Sequence, residues 1–212
     1  MLNKETQRAL LLILGATMLL KLVVFLLVVP KVTEYLPYSF ANFGDRYDRI
    51  AENLLAGNGY RIHPDTSETL LRSPGYVFML TGLFYLFGKS IVAAQVVNVL
   101  CGLATAYLIV LITKRWVTPS LAGPGGANTI EWVPLVPAVL FLFHPGVILS
   151  ETRAGAESVF MFLLAAVVYL LYVSIRSNRA KNFMMTGIVL GLAMLVKSTP
   201  ALIPIVLFPY LL

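Results

Sequence analysis

Apolar runs near the length of a bilayer crossing recur along the chain, separated by short polar segments and by one long polar interval. A transmembrane helix needs about 20 predominantly apolar residues. Ala9–Val29 and Ile91–Thr113 reach that length. Val133–Leu149 is apolar but broken by Pro134, Pro137 and Pro145; Ser158–Ile175 follows, then a shorter run, Phe183–Val196. Ala201–Leu212 opens a further apolar stretch. The pattern predicts an all-α polytopic membrane protein with about six transmembrane helices. The first run follows Lys4 and Arg8 but is too long for a signal-peptide core, and it ends Val-Val-Pro without a small-residue cleavage pattern. It reads as an uncleaved first span. Lys21 within it must snorkel or face the bundle interior, and snorkelling is the plainer expectation.

The long polar interval, Asn42–Gly88, is predicted to carry two interfacial helices. Tyr47, Ile50, Ala51, Leu54 and Leu55 recur at helical spacing, with Asp45, Asp48, Arg49 and Glu52 on the other side. Gly44 or Asp45 would start this amphipathic helix and Gly57-Asn58-Gly59 would stop it. Such a helix lies along a membrane surface. Asp65-Thr-Ser and Ser73-Pro-Gly mark turns. Tyr76–Phe87 is apolar all round but too short to span, and Gly88-Lys89-Ser90 separates it from the second span.

Composition agrees with membrane residence. Hydrophobic residues make up 58% of the chain and charged residues 12%, with mean hydropathy +0.84, which excludes a water-soluble globular domain. The net charge of +6 does not imply nucleic-acid binding, because there is no basic block and most Lys and Arg flank apolar runs. The lone Cys101 excludes an intrachain disulfide and a cysteine-based metal site.

Those flanking charges predict an orientation. With Tyr76–Phe87 in the interface, Lys4, Arg8, Lys114, Arg115, Arg176, Arg179 and Lys181 fall on one side, against Arg153 and Lys197 in the short segments opposite. The positive-inside rule then makes the N-terminus cytoplasmic and the first long loop, 31–90, external. Trp116 and Trp132 bracket a Gly- and Pro-rich cytoplasmic stretch, Thr118–Thr129. Gln95 and Asn98 share a face of the second span, where interhelical hydrogen bonding is their expected role, and Gly187-xxx-Gly191 permits close helix approach.

The external side gathers Asp45, Asp48, His63, Arg72, Glu151, Arg153, Glu157 and Lys197. Acid and base side by side suit group transfer from a phosphate leaving group: a carboxylate takes the acceptor's proton, and Arg or Lys neutralises the phosphate. Plainer roles exist for each. Asp45 serves as a helix cap, Asp48 as a first-turn carboxylate and Glu157 as a cap of the fourth span. Arg46, Arg49 and Glu52 are solvated or paired with head groups, and His63 is a loop residue. No His/Asp/Glu spacing argues for a metal.

Several segments, in order, resemble a known family: Tyr47–Tyr60, Arg72–Tyr76, Leu86–Ser90, Gln95–Asn98, His144-Pro, Ala156–Phe160 and Gly187–Lys197. The chain is similar to the type-C membrane glycosyltransferases, in the branch of protein O-mannosyltransferase-like and aminoarabinose-transferase-like proteins. The resemblance implies a helical enzyme of the plasma (inner) membrane and cell envelope. Its donor would be a polyprenyl-phosphate sugar, and transfer to an acceptor would take place on the external face with no cofactor beyond the lipid-linked donor. It makes the acidic residue of the first external loop the base, Asp45 first and Asp48 second. In the family that aspartate stands three or four residues before the tyrosine, whereas Asp45 is two before Tyr47. The substrate-binding residues it implies are Tyr47, Arg72 for the donor phosphate, Glu157 and Lys197. The absence of an Asp-x-Asp pair in the loop fits the metal-independent branches. Members of the family are longer, so residues 1–212 are expected to be an N-terminal transmembrane module, truncated, whose partners include membrane lipids and the remaining C-terminal region or a partner subunit. The alternative is a non-catalytic or degenerate membrane subunit that binds lipid or a partner.

Overall fold

The computed structural model describes residues 4–28, 31, 46–69, 72–121, 132–153 and 155–202. Among these are eight α-helices and no strand, the all-α architecture that the apolar pattern predicts. Helix α1 (Lys4–Val23) runs into a π-helical turn at Val24–Val28. Two shorter helices follow, α2 (Tyr47–Leu55) and α3 (Pro74–Phe87), and then the long α4 (Ile91–Leu121). Helices α5 (Leu135–Leu142) and α6 (Pro145–Thr152) are the two halves of a bent pair. The hairpin of α7 (Glu157–Ser177) and α8 (Ala180–Val196) completes the set, followed by a 3₁₀ turn at Thr199–Leu202.

Helix α4 is the post on which the others lean: α1, α3, α5, α6 and α7 all pack against it. Two apolar cores sit at different heights along it. One joins α2 to α3 through Tyr47, Ile50, Ala51, Tyr76, Val77 and Leu80, and draws in Ala156 and Val196 from the ends of α7 and α8. The other joins α1, α4 and α5 through Leu10, Ala106, Val110, Ala138 and Leu142. Helix α3 also crosses α8 at very close range. A Cβ on Gly75 would stand 2.8–2.9 Å from backbone atoms of Leu195 and Val196, so only glycine permits this contact.

Three helices are long and apolar enough to cross a membrane: α1, α4 and α7. The α5–α6 pair, bent by 52°, makes a fourth if counted as one span. Pro145 accounts for the break, because it has no N–H to donate and its ring blocks helix continuation. Helix α8 is apolar but shorter, at 17 residues. The expected sixth span lies outside the described residues beyond Leu202. The described helices therefore support three or four spans where six were expected.

Other details depart from the sequence reading. Lys21 does not snorkel: it is buried and ion-paired within the bundle. Ser73-Pro-Gly opens α3, with Ser73 as N-cap and Pro74 in the first turn, where proline's missing N–H costs nothing. The N-cap of α2 is Arg46, in a left-handed conformation (φ 63°), while Asp45 lies outside the described residues. Helix α4 continues through Thr118 to Leu121, so the first part of the expected cytoplasmic loop is helical. A Cβ at Gly187 or Gly191 would meet nothing within 4 Å. That pair therefore seats no neighbour among the described residues.

Candidate active site

A cavity of about 270 Å³ opens where α2, α6 and the start of α7 meet, lined by Tyr47, Gly146, Leu149, Ser150, Arg153, Gly155 and Glu157. Tyr47 arrives on the first turn of α2 because its ring belongs to the apolar stripe of that helix. The ring is buried edge-on against Tyr76, with centroids 5.1 Å apart. The Arg72 guanidinium stands 5.7 Å from the Tyr47 ring centre, within cation–π range. The loop that delivers Arg72 is tied down at several points. Tyr60 Oη donates to the Arg72 carbonyl at 2.9 Å, the Thr69 amide donates to the Tyr60 carbonyl, and Asn53 Nδ2 donates to the Arg61 carbonyl at 2.8 Å.

Glu157 is the first residue of α7 and Lys197 the C-cap of α8, so the hairpin brings them together at one end. Lys197 Nζ lies 3.3 Å from Glu157 Oε1 and 5.7 Å from the Phe160 ring centre. Both charged side chains remain roughly half exposed. Tyr47, Arg72, Glu157 and Lys197 are thus linked in one constellation. Asp48 is directed elsewhere: it pairs with Lys89 at 3.4 Å, and Lys89 also bonds Glu52 at 2.9 Å. Burial lowers the Lys89 pKa, but these two carboxylates outweigh it and the net shift is upward. Asp48 therefore fastens α2 to the turn between α3 and α4 and does not line the cavity.

The α6–α7 wall of the cavity is held from behind by α4. Gln95 Nε2 donates to the Thr152 carbonyl at 2.8 Å, and Asn98 Nδ2 donates to the Gly155 carbonyl at 3.1 Å. The interhelical role expected of this pair holds, and its partners turn out to be backbone groups of the cavity wall. Tyr76, fully buried, is also hydrogen-bonded to Asn98. Burial raises the Tyr76 pKa most; the Asn98 hydrogen bond opposes this and nearby Glu157 adds to it. The phenol stays neutral and acts as a fixed hydrogen-bonding group. The sequence reading gathered Arg153 with the external charges but gave it no substrate role, and it left out Ser150 and Tyr76. Arg153 was visible as a charge in a short turn, but nothing local connects it to Tyr47, far away in the chain.

The other ends of α4 and α7 have a different chemistry. Arg115 lies 4.8 Å from the Tyr169 ring centre, Arg176 lies 5.6 Å from that of Tyr172, and Trp116 packs on Tyr172 at 5.6 Å. Basic and aromatic side chains therefore gather at the end of the bundle away from the cavity, the arrangement typical of a membrane–water boundary.

A family model described as dolichyl-phosphate-mannose-protein mannosyltransferase matches residues 71–212. The chain belongs to this family. The match makes it a membrane protein of the glycosyltransferase type, as the resemblance implied. The matched range contains Arg72, Arg153, Glu157 and Lys197, whereas Tyr47 and Asp48 precede it. No curated protein and no solved structure matches the chain.

Proposed function

We propose that this mannosyltransferase-family chain moves a sugar from a polyprenyl-phosphate donor to an acceptor hydroxyl on the external face of the membrane. The observation that carries the reading is that Arg153 and Glu157 line one cavity with Tyr47, while Arg72 stands over the Tyr47 ring and Lys197 pairs with Glu157, all four charged residues lying within the family match. The cavity is slightly below the usual 300–1,000 Å³ or so of small-molecule sites. It therefore suits a sugar and its phosphate, with the hydrocarbon of the donor outside. Its position at the end remote from Arg115 and Arg176 supports an external site by the positive-inside rule.

In this reading the acceptor hydroxyl loses its proton to a loop carboxylate as its oxygen bonds the anomeric carbon, and the bond to the phosphate oxygen breaks. Attack from the face opposite the leaving group inverts the configuration. Arg72 and Lys197 offset the charge that builds on the departing lipid phosphate. Glu157 holds the Lys197 ammonium in place. Asp45 is the leading base and Asp48 the second choice, since its pairing with Lys89 occupies it. No cofactor is needed for this displacement.

The experiment is transfer from a polyprenyl-phosphate hexose in proteoliposomes containing the protein. Asp45→Asn and Arg72→Ala are expected to abolish transfer with expression intact, since loss of a general base costs about 10²–10⁴-fold. Full activity in both variants would overturn the site.

A further inference from the structure

Lys21 Nζ and Glu151 Oε1 are 2.7 Å apart, with side chains 4% and 0% exposed. The two residues lie on helices of spanning character, far apart in sequence, and nothing in the transfer chemistry above uses either one. A buried ion pair is an expensive way to join two apolar helices, because two apolar side chains of similar size hold them as well or better. Ionisable groups in membrane spans are rare and mark function more often than stability.

We propose that the Lys21–Glu151 pair is a positioning device that sets the cavity wall formed by α6 and the start of α7. Glu151 sits between Ser150, which lines the cavity, and Thr152, whose carbonyl Gln95 holds. Arg153 and Gly155 also line the cavity, and the Gly155 carbonyl is held by Asn98. Polar tethers thus fix this segment at 151, 152 and 155, from α1 on one side and α4 on the other. Helix α6 has only eight residues, so pinning Glu151 fixes its rotation and hence which side chains it turns into the cavity. The site of the pair is built for it: a Cβ on Gly102 would overlap the Glu151 carboxylate. Among the described residues, Lys21 is the one side chain that bonds the Glu151 carboxylate, so it sets the direction in which that carboxylate points.

The kinetic part of the proposal depends on the transferase reading; the geometric part does not. The test uses the whole protein in membranes and in detergent, in a Cys101→Ala, Ser150→Cys background that reports on the cavity wall. The double substitution Lys21→Met/Glu151→Met removes both charges and keeps the bulk. Its melting temperature is expected to be no lower than that of the background, while thiol labelling at position 150 by a polar reagent changes severalfold. The charge swap Lys21→Glu/Glu151→Lys is expected to bring the labelling rate back towards the background value. Where transfer is measurable, kcat should fall on the order of 100-fold for a misplacement near 1 Å, with KM changed much less. An unchanged labelling rate in the double methionine variant would overturn the proposal. So would a large drop in its melting temperature, which would make the pair a fold staple. If the unsubstituted protein transfers no sugar, the transferase reading fails and the labelling comparison still decides the positioning role.

Discussion

Gly102→Ala isolates the cost of disturbing the buried pair with a single methyl group. Gly102 lies within α4, where alanine is favoured over glycine by roughly 0.5–1 kcal/mol. Geometry opposes this gain, because the new Cβ would occupy the space of the Glu151 carboxylate. To make room the carboxylate must swing off Lys21, and parting a buried pair costs about 3–5 kcal/mol. The expected net destabilisation is roughly 2–4.5 kcal/mol, the difference between those two ranges. The reasoning also fixes a change of sign. In a Lys21→Met/Glu151→Ala background the Glu151 carboxylate no longer occupies the space beside Gly102, so the same Gly102→Ala substitution should stabilise by roughly 0.5–1 kcal/mol, its helix preference. Reversible unfolding in mixed micelles, titrated with a denaturing detergent and followed by Trp116 and Trp132 fluorescence, measures both. An effect of the same sign and size in the two backgrounds would refute the account.

Gly75→Ala should destabilise by about 1–3 kcal/mol, the usual cost of overfilling a packed contact, because its Cβ would meet the backbone of Leu195 and Val196; a melting temperature equal to the parent's would count against the α3–α8 crossing. Gln95→Leu leaves the Thr152 carbonyl without its donor, at a cost of about 1–3 kcal/mol, and proteolysis between α6 and α7 should accelerate in step with the lost stability. Burial pushes the Tyr60 phenol up to about 12, with Tyr47 adding to the shift. The folded state favours the neutral phenol, so its contribution is intact below the ordinary value near 10 and is lost as pH rises through about 12. Phenolate absorbance from Tyr60, taken as the difference from Tyr60→Phe, should emerge near pH 12, and emergence near pH 10 would show the loop to be unpacked. Asp48→Asn weakens only an ion pair with a half-exposed lysine, so transfer activity should survive, whereas a loss as large as that of Asp45→Asn would return Asp48 to the base role.

The helices were legible because the cues that make them are local. The stripe from Tyr47 to Leu55 and the long run after Ile91 announce themselves by period and length. The bend at Pro145 follows from one missing N–H. The choice of Arg72, Glu157 and Lys197 came from order along the chain and resemblance, and folding does place them in one constellation with Tyr47. What could not be read is pairing at a distance. Lys21 looked like a snorkelling lysine because its own surroundings in sequence are apolar, and the carboxylate that holds it inside is 130 positions away. Asp48 entered as the second choice of base through the resemblance, and nothing in its own helix announces the lysine from the next segment that it meets. The same limit left Arg153 without a role, since Tyr47, which lines the cavity with it, belongs to the other half of the chain.

The break between α5 and α6 also has a mechanical meaning. At the corner the His144 ring folds back so that Nδ1 accepts the Gly146 amide at 3.1 Å, giving α6 a cap of its own. A helix that ends and restarts transmits bending poorly, so compliance collects at the 52° joint. Helix α5 is anchored to α1 and α4 through an apolar core and α6 through an ion pair and side-chain hydrogen bonds, so a change in bilayer thickness would be taken up at the joint between them and reach the cavity wall weakly.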